Sequence, residues 1–133
     1  MIDGYQIIQT PSIKDNRGSL SFIEVGKIID FPINRVYWLY DFNQDRGAHA
    51  HKELKQFIFC TRGSVDFILD DGHNREIITL DTADKGILIE KPLWRKITNF
   101  QNNPSVIVLA SDIYDEKDYI RSYEEFKKWK FNS

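Results

Sequence analysis

The sequence has one Cys, one Met, four Pro and three His among 133 residues. A lone Cys60 excludes an internal disulfide and a cysteine-built zinc knuckle. Its place in Phe57-Ile58-Phe59-Cys60 assigns it to the core, compatible with a reducing compartment. No apolar stretch approaches the ~20 residues of a membrane-spanning helix. Met1-Ile2-Asp3-Gly4-Tyr5 lacks the basic and apolar regions of a secretory leader, so a soluble, cytoplasmic protein without membrane contact is expected. Charge of one sign is also lacking: 18 Lys and Arg against 20 Asp and Glu give a net charge of −2. Without a global cationic field, the chain is not built to coat a nucleic-acid backbone. A small anionic ligand stays open, because two or three local Arg or Lys residues suffice for it.

What is present is an aromatic chain with a period of two. Nine Phe, six Tyr and three Trp sit among 41% hydrophobic and 29% charged residues, a globular composition. The length fits one domain, 1–133, with a β core over about 5–111 and a helical tail over about 115–130. Val65, Phe67 and Leu69 fall on one face of a strand, and Val36, Trp38 and Tyr40 alternate with Tyr37 and Leu39. Further strands are expected at Tyr5 to Gln9, Leu20 to Val25, Gln56 to Thr61, Glu76 to Asp81, Gly86 to Glu90 and Val106 to Ser111. Turn signals separate them at Asp15-Asn16-Arg17-Gly18, Arg62-Gly63, Asp70-Asp71-Gly72 and Asn102-Asn103-Pro104. Short strands with no helix between them predict an antiparallel sandwich or barrel. From Asp118 onward, Tyr119, Tyr123, Phe126 and Lys130 follow a helical stripe, and Ser122 with Glu125 has capping-box spacing.

Chemistry concentrates in Arg46-Gly47-Ala48-His49-Ala50-His51-Lys52. Residues i and i+2 of a strand point to the same side, about 7 Å apart at Cα. His49 and His51 therefore present two imidazoles to one space, with Ala48 and Ala50 on the other face. Imidazole suits proton transfer near neutrality and is also the commonest metal ligand, so both uses are open, as is a merely hydrogen-bonded pair.

Gly47 before the pair, Gln56 five residues after it, Gly63, and then Gly86 with Pro92 resemble the two motifs of the cupin superfamily. That resemblance implies a double-sheet jelly-roll barrel and, in many members, a metal held by three His and a Glu. Here the Glu position holds Gln56 and the third His position falls near Ile97. Two imidazoles alone make a weak site for a first-row metal, so no metal and no organic cofactor is expected. Arg46 to Lys52, Gln56 and Gly63-Ser64 further resemble the sugar-nucleotide 3,4-ketoisomerases. So do Ser111-Asp112-Ile113-Tyr114-Asp115, Asp118-Tyr119-Ile120-Arg121 and Tyr123-Glu124-Glu125-Phe126, so that the resemblance spans Gly4 to Phe126.

The resemblance implies an enzyme that moves the ketone of dTDP-4-keto-6-deoxyglucose from C4 to C3, for dideoxy-amino-sugar biosynthesis. Such a reaction needs a base for the C3 proton, a donor at C4 and a relay between the two oxygens. His49 and His51 are the implied catalytic pair; we expect His51 as base and His49 as donor or relay. Tyr37 is expected to hydrogen-bond the developing oxyanion. Arg46 is expected on the diphosphate, with Arg17 and Arg121 as further phosphate candidates. Gln56 should face the pocket, and Trp94 either stacks on the nucleobase or lids the core. His73 is expected at an exposed hairpin tip, and Lys127-Lys128-Trp129-Lys130 as a solvated helix end. A metal-dependent cupin and a non-catalytic sugar-nucleotide binder are the rival readings. A homodimer, with N-terminal strands exchanged, is implied by the same resemblance.

Overall fold

Alternating side chains set the architecture. A computed structural model of the chain describes residues 2–132, and among these strands dominate. In order they are β1 (Tyr5–Gln9), β2 (Ser12–Asp15), β3 (Gly18–Ser21), β4 (Arg35–Leu39), β5 (Arg46–His51), β6 (Gln56–Asp70), β7 (Arg75–Leu80), β8 (Lys85–Ile89), β9 (Trp94–Ala110) and β10 (Tyr119–Ile120). A 3₁₀ turn over Glu116–Asp118 precedes β10, and one helix, α1 (Tyr123–Asn132), ends the described chain. Eight strands form one antiparallel sheet in the order β1-β8-β6-β9-β5-β10, with β4 on β9 and β7 on β6. Strands β2 and β3 make a separate hairpin. This is the expected double-sheet, cupin-type β fold with a short C-terminal helix. Among the described residues no helix is long and apolar enough to cross a membrane.

Two long strands give the sheet its curvature. β6 and β9 pair over most of their length, with register shifts around Arg62 and Ser64. Gly63 sits there at φ +68, where an added Cβ would lie 2.5 Å from the Gln101 carbonyl oxygen, so only glycine fits. Opposite it, Asn102 and Asn103 hold φ of 59 and 54, a region that Asn tolerates. The signals at Arg62-Gly63 and Asn102-Asn103-Pro104 are therefore bulges inside continuous strands rather than turns between short ones. Each long strand takes different partners at its two ends, β8 and then β7 on β6, and β5 and then β4 on β9.

The inward face of β6 (Ile58, Cys60, Val65, Phe67, Leu69) joins Ile87, Ile89, Leu93, Ile97, Val106 and Val108 in the main core. Cys60 is buried, as expected, and burial pushes its thiol pKa up. On the opposite face, Phe57 and Leu88 are covered by Ile29 and Phe31. That cover is the segment after β3: the strand expected over Leu20 to Val25 stops at Ser21, because the chain leaves the hairpin to wrap this apolar face. A third cluster (Ala50, Trp94, Ile120, Phe126) seats α1 against β5. Ser122 caps the helix, its hydroxyl accepting from the Glu125 N–H at 3.3 Å. The expected helical stripe therefore starts late. Tyr119 lies on β10, opposite His51, instead of on a helix. His73 is exposed at the β6–β7 tip, as expected.

Candidate active site

The barrel interior encloses a cavity of about 320 Å³ lined by residues of β4, β5, β6, β9 and the β10 segment. His49 lies on its wall. His51, 1% exposed, is one layer behind it, with the two ring centroids 4.8 Å apart and edge to face. The strand period brings the imidazoles to one side as expected, but they are not equivalent. Tyr119 stands over His51 with ring centroids 4.4 Å apart, so His49 meets the open space and His51 does not. Burial, then the positive charges of Arg95 and Arg121 and the coupling to the neighbouring His51, pushes the His49 pKa down to about 2. Burial and the charges of Arg95, Arg35 and Arg121 drive His51 in the same direction. Both rings are thus neutral at working pH. They differ in their partners: His51 Nδ1 meets Asp118 Oδ2 at 2.9 Å, and His49 has no such carboxylate contact among the described hydrogen bonds.

A second set of side chains comes from the neighbouring strands. Tyr37 of β4 points inward while Val36 and Trp38 stay exposed, which is the alternation read from the sequence. Gln56 is 2% exposed; its Nε2 donates to Tyr37 Oη at 2.9 Å, and its Oε1 accepts from Arg95. The Arg95 guanidinium also donates through Nε and Nη2 to the Leu93 carbonyl, both at 3.2 Å. Arg95 is 3% exposed and its described hydrogen-bond partners include no carboxylate. Desolvation lowers its pKa to about 10, so it remains a cation. The Arg95 charge fixes the orientation of the Gln56 amide. The amide donor then occupies an oxygen lone pair of Tyr37, which leaves the phenolic O–H free to donate into the cavity.

The cavity is electropositive in a chain of net charge −2. Arg35, Arg46, Arg95 and Arg121 line it, and among the described residues no Asp or Glu does. Arg121 is held at the mouth by Glu116 at 2.7 and 2.9 Å, and its guanidinium lies 4.3 Å above the Tyr119 ring. Hydrogen bonds from Arg121 and Tyr114 hold Glu116 down at about 2. The Arg35 guanidinium stacks over Tyr37 and Tyr114, and its Nε is buried without a partner.

Tyr37, Arg46, His49, Gln56 and Arg121 are thus brought together, with His51 directly behind. Two expected substrate contacts are not. Trp94 packs under α1 against Tyr123 and Phe126, because on β9 it faces away from Arg95 and Ile97; it is the core lid. Arg17 sits on the detached β2–β3 hairpin, bound to Asp15 at 2.7 Å, away from the cavity lining of its own chain. Arg35, Arg95, Tyr119 and Asp118 were not singled out from sequence. For Arg95 a signal existed: once Ile97 is placed inward by the cupin spacing, the residue two before it faces inward as well.

The donor set does not fit a divalent cation. The carboxylate position is Gln56, engaged by Arg95 and Tyr37, and Ile97 lines the wall where a third imidazole would stand. Among the described residues no group of three His, Cys, Asp or Glu is placed to hold a metal.

Comparison with known proteins agrees with this geometry. The model of the FdtA (WxcM-like, C-terminal) family matches residues 3–130. A TDP-4-oxo-6-deoxy-alpha-D-glucose-3,4-oxoisomerase from Aneurinibacillus thermoaerophilus is 44% identical over 126 residues, covering 93% of this chain and 91% of that protein. A TDP-quinovose 3,4-ketoisomerase from Campylobacter jejuni superposes with a TM-score of 0.90 at 46% identity, covering 96% of this chain and 99% of that one. A sugar 3,4-ketoisomerase from Thermoanaerobacterium thermosaccharolyticum, solved in complex with TDP, reaches 0.95 at 34% identity, with 99% and 98% covered. A histidine-to-asparagine variant of that enzyme was solved with TDP-4-keto-6-deoxyglucose.

Proposed function

The chain belongs to the FdtA (WxcM-like, C-terminal) family, and from that premise we propose that it is a TDP-sugar 3,4-ketoisomerase acting on TDP-4-keto-6-deoxyglucose. The observation that carries the proposal is a pair of neutral imidazoles, His49 and His51, against a cavity lined by four Arg residues and an oriented Tyr37 hydroxyl.

The reaction moves one hydrogen from C3 to C4 and another from the C3 hydroxyl to the C4 oxygen. His51, the imidazole paired with a carboxylate, takes the C3 proton. The Tyr119 ring stands over it at 4.4 Å, so this step requires that ring to give the sugar access. The released electron pair forms the C3–C4 double bond, and the carbonyl pair moves onto the C4 oxygen. Tyr37 donates its O–H to that developing oxyanion. Arg95, a buried cation, adds a field that favours the enediolate over the neutral ketone. Collapse of the enediolate makes the C3 ketone as C4 accepts a proton from the His51 imidazolium. His49, on the wall, is the relay that shifts the hydroxyl proton between the two oxygens. A relative's histidine-to-asparagine variant that holds TDP-4-keto-6-deoxyglucose accords with a histidine needed for turnover more than for binding. Arg46 and Arg35 carry no carboxylate partner among the described ion pairs, and they are the cations proposed for the diphosphate, with Arg121 at the mouth. No metal or organic cofactor enters any step.

The exposed hairpin, with Ile13 at 59% and Leu20 at 56% exposure, and the outer β4 face of Val36 and Trp38, continued by Tyr40 just after the strand, support a homodimer. Exchange of the hairpin would carry Arg17 toward the partner's cavity. Sedimentation showing a stable monomer at low micromolar concentration rejects the dimer. A nucleotide-linked substrate accords with the cytoplasmic location expected from sequence.

The test is incubation with TDP-4-keto-6-deoxyglucose in D₂O, followed by NMR. Ketone transfer to C3 is expected, with deuterium entering at C4 as the His51 proton exchanges with solvent. Both should vanish in His51→Asn while TDP still binds, and retained exchange would remove His51 as the base. TDP binding without turnover in the wild type would make the protein a binding module, and dialysis-resistant metal required for activity would make it a metal-dependent cupin.

A further inference from the structure

His51 has an unusual environment for a ring behind an active-site wall. Its side chain is 1% exposed and its Nε2 is buried with no hydrogen-bond partner, so one nitrogen carries an unused function in a layer without solvent contact. An unpaired buried polar atom is destabilising and calls for an explanation, of which a catalytic role is one. Its other nitrogen, Nδ1, faces Asp118.

Asp118 is held from three directions. Its Oδ1 accepts the Glu53 N–H at 2.7 Å, its carbonyl accepts the Lys52 N–H at 3.0 Å, and its Oδ2 meets His51 Nδ1 at 2.9 Å. β10 begins at the next residue, with Tyr119 opposite His51 and Ile120 opposite Ala50. The carboxylate is therefore locked to the end of β5 by contacts within the fold. A carboxylate only accepts, so the shared hydrogen sits on Nδ1 and the Nε2 lone pair stays bare. The charged and titratable groups facing this ring from the packed elements are Arg35 (β4), His49 (β5), Arg95 (β9), Tyr119 (β10) and Arg121, just after β10.

We infer that Asp118 is a positioning residue for the isomerisation: it fixes His51 as the Nδ1–H tautomer, so that Nε2 is the end of the ring that takes the C3 proton. Asp118 is not among the residues that line the cavity; it acts through His51. The inference rests on the ketoisomerase reading and deepens it. Its chemical content is directional. In each turnover Nε2 takes one proton from C3 and returns one to C4, while the Nδ1 proton stays on the Asp118 side, so the ring ends each cycle as it began.

Asp118→Asn tests it. The amide oxygen of the variant can keep the Glu53 N–H, but its NH₂ group then faces His51 Nδ1 and demands the opposite tautomer, with Nε2 protonated. Expected are unchanged TDP affinity, KM within threefold, kcat lower by roughly 100-fold or more, and a His51 ring whose nitrogen NMR signals show the proton moved from Nδ1 to Nε2. A clamp that merely held β10 to β5 would move KM and melting temperature but not the tautomer. Wild-type protein with labelled histidine supplies a measurement that does not depend on the variant folding: a protonated Nδ1 and a bare Nε2 on His51 support the inference, and the reverse overturns it. Full kcat in Asp118→Asn, or a loss of kcat with the Nδ1–H tautomer retained, also overturns it. Wild-type protein that leaves the keto sugar unchanged would instead overturn the ketoisomerase reading, with the tautomer spectrum still deciding the Asp118 contact.

Discussion

Gln56 occupies the position where metal-binding cupins carry a Glu, and restoring that carboxylate should make the protein more stable and less active. In the present chain, Gln56 Oε1 accepts from Arg95 and Nε2 donates to Tyr37 Oη at 2.9 Å. Gln56→Glu hardly changes the volume. It replaces the neutral acceptor of a buried guanidinium with a charged one, and such hydrogen bonds are roughly twice as strong, a gain of about 1 kcal/mol. For a domain of this size that raises the melting temperature by about 3–5 °C. The same change removes the only donor described on Tyr37 Oη and offers an acceptor in its place. Tyr37 O–H then turns toward the introduced carboxylate and is withdrawn from the cavity. Loss of one prearranged donor to an oxyanion costs about 3 kcal/mol of transition-state stabilisation, or about 100-fold in kcat. Thermal unfolding and steady-state turnover of TDP-4-keto-6-deoxyglucose measure the two effects on the same preparation. Tyr37→Phe should lose a similar factor, and the double variant should lose little more than either single one, because both remove one interaction. Turnover within threefold of wild type would refute the role given to the Tyr37 hydroxyl. A fall in melting temperature would refute the reading of Arg95 as a cation in need of an acceptor.

Three further outcomes follow from packing and charge. His49 titrates at about 2 in the fold, against an ordinary value of 6.5 when free. Between those values the unfolded chain binds a proton that the folded chain does not, so its stabilising contribution is complete above about 6.5 and is lost as pH falls, at up to ~1.4 kcal/mol per pH unit. Urea unfolding of wild type and His49→Gln at several pH values should show a flatter acid slope in the variant, and parallel slopes would contradict this. Gly86→Ala drives a methyl group into the Phe57 ring and within 2.9 Å of the Ile58 carbonyl oxygen, with Phe57 fully buried; a loss of about 1–3 kcal/mol is expected by denaturant titration. Trp94→Leu should cost ~2–4 kcal/mol of stability yet leave TDP affinity within twofold by calorimetry, since the ring packs on Tyr123 and Phe126 instead of lining the cavity. A tenfold loss of TDP affinity at unchanged stability would return Trp94 to the substrate.

The scarcities of this sequence already carried much of its chemistry. One Cys, three His and a net charge of −2 exclude a disulfide frame, a cysteine-built zinc knuckle and a polyanion coat. Alternation along Val36 to Tyr40 and Ser64 to Leu69 is enough to turn Tyr37 and the core residues inward, because strand side chains have a fixed period. The spacing of Gly47, His49, His51, Gln56, Gly86 and Pro92 was legible as a cupin frame whose metal ligands have been replaced. Periodicity acts within one strand, and it cannot state which residues meet across strands or how deep each lies. Tertiary structure alone decided that His49 lines the wall and His51 stands behind it, since the Tyr119 ring arrives from β10, far along the chain and 4.4 Å away in space. It also decided that Trp94 belongs to the helix seat and Arg95 to the cavity, that Gln56 orients a phenol, and that Asp118 holds the second imidazole. Each of these rests on a contact between distant segments, fixed by how β6 and β9 bend and which face each strand then presents.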